Sequence, residues 1–458
     1  MPNYSNIILI TVDALRTDRL GFMGCGKNLS PNIDNLAKDG IVFSRAFASG
    51  SSTPYSFPAI LSSTYPLDYQ GPQKIEKPRV LLSEVLKEAG YLTAAFHANP
   101  FLSGVFGYNR GWDYFEEGVL ATGKLEKKSV VKDFLRIIFK ELTFSFWPEL
   151  FFKIKYSRYR KNEAAIGFKV KAAEINKLAQ EFIVATKNEK KPFFLWVHYM
   201  DVHGPYLALE NYYENRPYTF EEAVAGSYIN HLNDYGRKKK LRKFLEKYIP
   251  KTISLYEQGI CCFDQELGKL LDFFKKEGID QNSVICLTSD HGEELFERGG
   301  VSHFNCRLYN ELLQVPLIIK IPGWAAQRID KKVSLVDLAP TILNLVGLEP
   351  PAVFKGKSLF DSAEKPLFHQ AASHFGVGEI SRKQSIKKFG KYNLACQFKE
   401  WKYISDGIHE QEELYNLEND PQEKNNLGAK KPEIISQMRA RVEEFKKLNP
   451  PLSLLYEN

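Results

Sequence analysis

The sequence predicts an α/β protein built on a mostly parallel sheet with helices on both faces. Three observations carry that expectation. Apolar runs of strand length recur at Ile7–Val12, Leu92–His97, Phe193–His198 and Val284–Ser289. Helical patterns separate them, near Leu81–Ala89, Ala172–Asn188 and Ser254–Lys276. Continuous apolar runs read as strands buried on both faces, and their alternation with helices reads as βαβ units. Two of the runs also stop abruptly on an acid: Val12 is followed by Asp13, and Ser289 by Asp290 and His291. Such sheets bind ligands beyond the carboxyl ends of their strands, which makes those side chains candidate site residues.

The elements that follow fit the same plan. Val315–Ile321 is a further apolar run and Leu335–Val346 a further helix. After about residue 360 the texture changes: Tyr392–Phe398 and Trp401–Ser405 alternate polar with apolar residues between turns, and Pro432–Leu448 has a helical pattern. The expectation is a main domain over 1–360 and a small C-terminal antiparallel sheet with a helix over 361–458. Residues 115–172 lack a sheet pattern and read as an insertion. Its aromatic and basic composition suits a lid or packing element, with peripheral membrane contact through 124–160 as the alternative.

Composition excludes whole classes. With 458 residues, 44% hydrophobic and 26% charged, the chain is neither disordered, collagen-like nor membrane-spanning. The net charge of +7 is concentrated in 124–172 and in Arg237–Lys243. These stretches read as solvated faces, or as a surface for anionic lipid or polymer; no nucleic-acid partner is expected. Six cysteines show no metal-finger spacing, and Cys286 falls inside a strand, so reduced packing cysteines are expected. Only Met-Pro-Asn-Tyr-Ser-Asn stands before the first apolar run, without a secretory pattern, and Phe134–Phe152 is interrupted by Arg136, Lys140, Glu141 and Glu149. The expected location is cytoplasmic.

Two strand-end acids far apart in sequence converge only if their strands are sheet neighbours, and Asp290-His291 beside Asp13 can hold a divalent metal. Further motifs follow in order. Asn6–Gly21, containing Asp13, Arg16 and Asp18, is followed by Ser30-Pro-Asn-Ile-Asp34 and by Thr53-Pro54 through Tyr65-Pro66. Then come Asp201-Val-His203-Gly-Pro-Tyr206, Thr288-Ser-Asp290-His291-Gly-Glu293, His303, Val315-Pro-Leu317 and a tail from Glu413 to Leu427. From Asn6 to about Leu427 the chain resembles the sulfatase family of the alkaline-phosphatase-like superfamily. The resemblance implies that fold, hydrolysis of an anionic ester, and a metal held by Asp13, Thr53, Asp290 and His291. Hard carboxylates with one imidazole favour Mn2+ or Zn2+, with Mg2+ and Ca2+ also admitted. The resemblance further implies that His203 and His303 contact the substrate anion or its leaving group, where either imidazole can act as general acid. Asn99, following the strand Leu92–His97, is a candidate donor to the ester oxygen. His97 and His198, within apolar runs, read as buried strand residues. Asp201 with His203 and His303 leaves a second metal site open.

The chain departs from the family at three points. Typical members carry Cys or Ser in a C/S-x-P-x-R motif, converted to formylglycine. Counting back from Leu61 to Tyr65-Pro66 puts Thr53 at that position and Phe57 at the arginine. A rival register would make Ser52 the nucleophile, with Ser56 at the arginine. The second acid of the usual Asp-Asp pair is Ala14. Threonine cannot become formylglycine, which closes the hydrate-elimination route. A metal-activated hydroxyl and a covalent ester on Thr53 are the expectation, with phosphodiester or phosphonate chemistry slightly ahead of sulfate. Two other functions stay open: a transferase moving a phosphoryl-linked headgroup from lipid to glycan, and an inert anion-binding protein on the same fold.

Overall fold

A computed structural model describes residues 6–118, 149, 153, 170–206, 219–226 and 239–449, except for 70, 72–73, 304–305, 373–391 and 408. The insertion expected over 115–172, with its 124–160 stretch, lies outside the described residues apart from its ends, Glu149 and Lys153. Among the described residues no helix is long and apolar enough to cross a membrane.

The centre is a nine-stranded sheet: β1 (Asn6–Val12), β2 (Ile41–Phe47), β3 (Leu92–Phe96), β4 (Tyr114–Glu116), β5 (Phe193–Tyr199), β6 (Ser283–Ser289), β7 (Gln314–Val315), β8 (Leu317–Lys320) and β9 (Gln327–Ser334). The spatial order is β4-β3-β5-β1-β6-β8-β2-β7, with β9 paired to β2. The block from β4 to β6 is parallel throughout. The single run expected at Val315–Ile321 is two strands instead. Pro316, which has no N–H to give to a ladder, separates β7 from β8, and both pair antiparallel with β2.

Side chains alternate across β1, and each side meets its own helical layer. Ile8, Ile10 and Val12 pack with α4 (Ala172–Thr186) and α5 (Ile249–Lys276) through Ile175, Phe182, Leu255 and Phe263. The helices on the opposite side are α2 (Thr53–Ser62), α3 (Leu82–Glu88) and α6 (Leu338–Leu345). Their Phe57, Ile60, Leu82 and Ile342 share a cluster with Ile7 and Leu9. α1 (Pro31–Lys38) joins the first layer. Strands buried on both faces need apolar residues at successive positions, which is why β1, β5 and β6 read as continuous runs.

A second sheet is antiparallel and four-stranded, in the order β10 (Leu367–Ala372), β11 (Tyr392–Phe398), β12 (Trp401–Asp406), β13 (Gln411–Asn416). The helix α7 (Pro432–Leu448) lays Met438, Val442 and Phe445 on Leu394, Cys396 and Tyr403. A fully buried ion pair, Lys402 Nζ to Glu423 Oε1 at 2.6 Å, lies under β12. Asn310, just ahead of β7, closes it: its Oδ1 accepts from Lys402 at 2.9 Å and its N–H donates to Glu423 Oε2 at 2.6 Å.

Register sets up the site. β1 is flanked by β5 and β6 with no stagger, so Val12 faces Tyr199 on one side and Ser289 on the other. The residues just beyond, Asp13 and Asp290, therefore leave the sheet side by side.

Candidate metal and ester site

Asp13 and Asp290 are both fully buried. The loop carrying Asp13 is shaped by Ala14 at φ 60°, left-handed backbone that an alanine adopts only under constraint. Three hydrogen bonds from two side chains supply the constraint. Tyr256 Oη donates to the Ala14 carbonyl at 2.8 Å and accepts from Arg16 N at 2.9 Å, while Ser289 Oγ accepts from Leu15 N at 3.0 Å. The turn aims the Ala14 amide at Asp290 Oδ1, 3.3 Å away. Gly292 is required next to His291 because a Cβ there would lie 2.1 Å from the Glu311 carbonyl oxygen.

One His/Asp/Glu cluster among the described residues converges closely enough for a cation: Asp13, Asp290 and His291, with ligand atoms within 4.8 Å of one another. The residues fit a divalent ion. Asp13 Oδ1 and Asp290 Oδ2 are buried and accept no hydrogen bond, and His291 Nε2 lies 3.5 Å from each. The other ring nitrogen, His291 Nδ1, is 2.7 Å from the Gly292 carbonyl, so it carries the proton and Nε2 presents its lone pair to the cluster. Charges confirm the crowding. Burial, then the Asp13 charge, pushes Asp290 well above the usual carboxylate range. Burial also pushes Asp13 up, but His203, His198 and His291 outweigh it and hold that carboxyl well below its ordinary value.

Thr53 is the first residue of α2, and its hydroxyl enters this cluster. Oγ1 is 3.2 Å from Asp13 Oδ2 and 3.5 Å from His291 Nε2. The helix N-terminus behind it favours an anion at this point. The Ser52 side chain, at the cap position, makes no hydrogen bond to the helix end. Asn99 Nδ2 donates to Asp13 Oδ2 at 2.7 Å and lies 3.3 Å from Thr53 Oγ1, while its Oδ1 accepts from Phe101 N. It is thus an orienter of Asp13 as well as a neighbour of the hydroxyl.

His203 and His303 are brought in together, their ring centroids 5.0 Å apart and His303 4.3 Å from His291. His303 Nδ1 is 3.1 Å from Glu293 Oε1, and Tyr206 Oη donates to Glu293 Oε2 at 3.0 Å. Burial pushes Glu293 up to about 7. Burial, then His291, pushes His303 well below the ordinary imidazole value. Asp201 accepts from Ala172 N at the start of α4, so its Oδ1 serves a helix end. Arg16 and Asp18 form a two-pronged ion pair, both contacts 2.8 Å, and Arg16 also reaches Glu297.

The sequence marks His198 only as a buried strand residue and does not mark Tyr256 at all. His198 does lie buried in β5, but its Nε2 stands 3.5 Å from Asp13 Oδ2. Only the β1–β5 register, which places His198 opposite Thr11, brings it there. Nothing in the pattern of α5 marks Tyr256. Phe57 is fully buried against Trp196, His198 and Tyr108.

The comparisons agree with this architecture. The phosphonate monoester hydrolase of Agrobacterium radiobacter superposes with a TM-score of 0.70 at 18% identity, covering 99% of this chain and 97% of that one. The enzyme of that name from Silicibacter pomeroyi gives 0.68 at 16%, covering 98% and 96%. Arylsulfatase K of Bos taurus is 30% identical over 205 residues, 43% of this chain and 37% of that protein, so the chain matches well under half the length of that relative. The uncharacterized sulfatase YidJ of Escherichia coli is 23% identical over 446 residues, 92% of this chain and 82% of that protein. Residues 299–448 match the C-terminal model of N-sulphoglucosamine sulphohydrolase. The sulfatase family model matches residues 5–348, from β1 to beyond α6, and the protein is a member of the sulfatase family.

Proposed function

We propose that this protein is a divalent-metal-dependent hydrolase of an anionic ester, with the Thr53 hydroxyl as nucleophile and phosphorus esters preferred over sulfate. One observation carries the proposal: Thr53 Oγ1 sits at a helix N-terminus, 3.2 Å from Asp13 and 3.5 Å from His291 Nε2, and the sequence resemblance aligns this position with the family's modified cysteine or serine. Asp13, Asp290, His291 and Thr53 would hold the ion; Mn2+ or Zn2+ suits one imidazole among oxygens. A divalent cation bound there supplies charge neutralisation for the ester oxygens and makes a hydroxyl more acidic.

The remaining steps belong to the side chains. Thr53 directs its proton toward Asp13 Oδ2 and its oxygen toward the ester centre. As the Thr53 oxygen bonds to phosphorus or sulfur, the bond to the leaving-group oxygen breaks and His203 delivers a proton to it, while His303, held neutral by burial, can hydrogen-bond the anion. Water then splits the ester on Thr53, releasing the anion and restoring the hydroxyl. Threonine bears a methyl and one hydroxyl, so the hydrated aldehyde that lets a sulfatase eject sulfate is not accessible. The ester must be opened by attack at the central atom, which supports phosphonate or phosphodiester substrates. The phosphonate monoester hydrolases that share the fold support the same reading.

The test is a panel of 4-nitrophenyl sulfate, phosphate, phosphodiester and phenylphosphonate esters, each with Mn2+, Zn2+, Mg2+ and Ca2+. Phosphorus-ester turnover abolished by Thr53→Ala is the expected result. Turnover of the sulfate ester alone would overturn the preference for phosphorus.

A further inference from the structure

Behind Asp13, three polar side chains from β1 and β5 form a line that the proposed reaction does not use. Thr11 and His198 are register partners on parallel strands, and Trp196 lies two residues before His198 on the same face. All three are fully buried. Trp196 Nε1 can only donate, and Thr11 Oγ1 accepts it at 2.9 Å. The Thr11 hydroxyl has a single proton of its own. Its nearer acceptor is His198 Nδ1 at 3.0 Å, against 3.3 Å to the Val197 carbonyl. At the far side of the ring, His198 Nε2 stands 3.5 Å from Asp13 Oδ2. A lone pair there would oppose a carboxylate oxygen in a buried setting, whereas an N–H is attracted to it. Both sides of the ring therefore select one tautomer, with Nδ1 accepting from Thr11 and the proton on Nε2.

We propose that the line Trp196–Thr11–His198 is a positioning device for the cation ligand Asp13, an inference that rests on the metal reading given above. Asn99 donates to Asp13 Oδ2 at 2.7 Å, and His198 Nε2 faces the same oxygen from another direction at 3.5 Å, an electrostatic contact longer than a hydrogen bond. That fixes the carboxylate plane and leaves Oδ1, which accepts no hydrogen bond, turned to the Asp290–His291 side. Phe57 keeps the imidazole in place by packing edge-on against it, centroids 5.1 Å apart and planes at 88°. The residue that replaces the family's arginine thus belongs to this support. Partners of this kind fix the orientation and basicity of a metal ligand, and losing one typically weakens metal binding about 10–100-fold.

The experiment is calorimetric titration of metal-stripped full-length protein with Mn2+, with the melting temperature in chelator read in parallel as a control on folding. Thr11→Ser keeps the hydroxyl and Thr11→Val removes it at equal volume. His198→Gln keeps an N–H donor toward Asp13, and His198→Met fills the space without one. Thr11→Val and His198→Met should lose about 10–100-fold in Mn2+ affinity, while Thr11→Ser and His198→Gln stay within about threefold of wild type. If Thr11→Val does not fold, the His198 pair decides alone. Equal affinity in all folded variants overturns the positioning role and leaves the metal reading standing. Wild-type protein that takes up no Mn2+ overturns both.

Discussion

Replacing Asp290 with asparagine should stabilise the metal-free protein while abolishing its response to metal. Asp13 and Asp290 are fully buried, with their ligand atoms within 4.8 Å, and among the described residues neither pairs with a lysine or arginine, only with the imidazoles of His198 and His291 at 3.5 Å. At an effective dielectric constant of about 20, two unit charges at that separation repel by about 3 kcal/mol. Asparagine preserves the shape, and its Oδ1 can still accept from Ala14 N and His291 N, as Asp290 Oδ1 does. The expected gain in chelator is therefore about 1–3 kcal/mol, the lower figure applying where Asp290 is already protonated. The sign with pH follows. The folded-state pKa of Asp290 is raised, so its contribution is full below the ordinary carboxylate value and is lost as pH rises through the raised one. Asp13 is depressed and contributes oppositely, losing stability only as pH falls through its lowered value. The advantage of Asp290→Asn should thus widen as pH rises above the ordinary carboxylate value. Adding Mn2+ at about 100 times its dissociation constant should stabilise wild type by about 2.7 kcal/mol and leave the variant unmoved. Urea unfolding with and without chelator measures both effects. A metal-free variant less stable than wild type, with wild type indifferent to Mn2+, Zn2+, Mg2+ and Ca2+, would refute the idea that these acids form a cation site.

Three further outcomes are expected. Glu293, raised from 4.5 to about 7 by burial, keeps its proton in the folded state, so the metal-free protein should lose up to about 3 kcal/mol between pH 4.5 and 7 from this group, a slope that Glu293→Gln flattens in urea titrations across pH. Lys402→Met leaves Glu423 buried beside Asn310 without its cation and should cost about 3–5 kcal/mol, whereas the double variant with Glu423→Leu should recover most of it in a double-mutant cycle. Phe57→Arg installs the residue that the sequence resemblance implies at this position but places a guanidinium among Trp196, Tyr108 and His198, so thermal unfolding should show a loss of about 3 kcal/mol or more with no gain in turnover.

Much of this was legible in the chain because strand burial writes itself into sequence. β1, β5 and β6 are covered on both faces, so each is an unbroken apolar run, and the acid that ends β1 and β6 stands out against it. The strands β2 and β9, a parallel pair on the far side of the sheet, were harder to see. β9 is Gln327–Ser334, largely exposed along its first half, and β2 carries Ser44 and Arg45 in its middle. Register of the β1–β5 pair is what places Thr11 beside His198, and no local pattern encodes which strands become neighbours. Tyr256 shows the same limit: it lies on one turn of a 28-residue helix, and only the fold brings its hydroxyl to Ala14. The strained turn at Ala14 was equally hidden, because alanine carries no signal for positive φ.

We propose that Thr53 forms the bond to the substrate, and that bond can be trapped. Acid-quenched protein, taken during Mn2+-dependent turnover of a phenylphosphonate ester, can be digested and its peptides weighed and fragmented. A phosphonyl adduct on Thr53 is expected, absent from Thr53→Ala protein that has also lost turnover. An adduct on Ser52, or full turnover by Thr53→Ala, would contradict it.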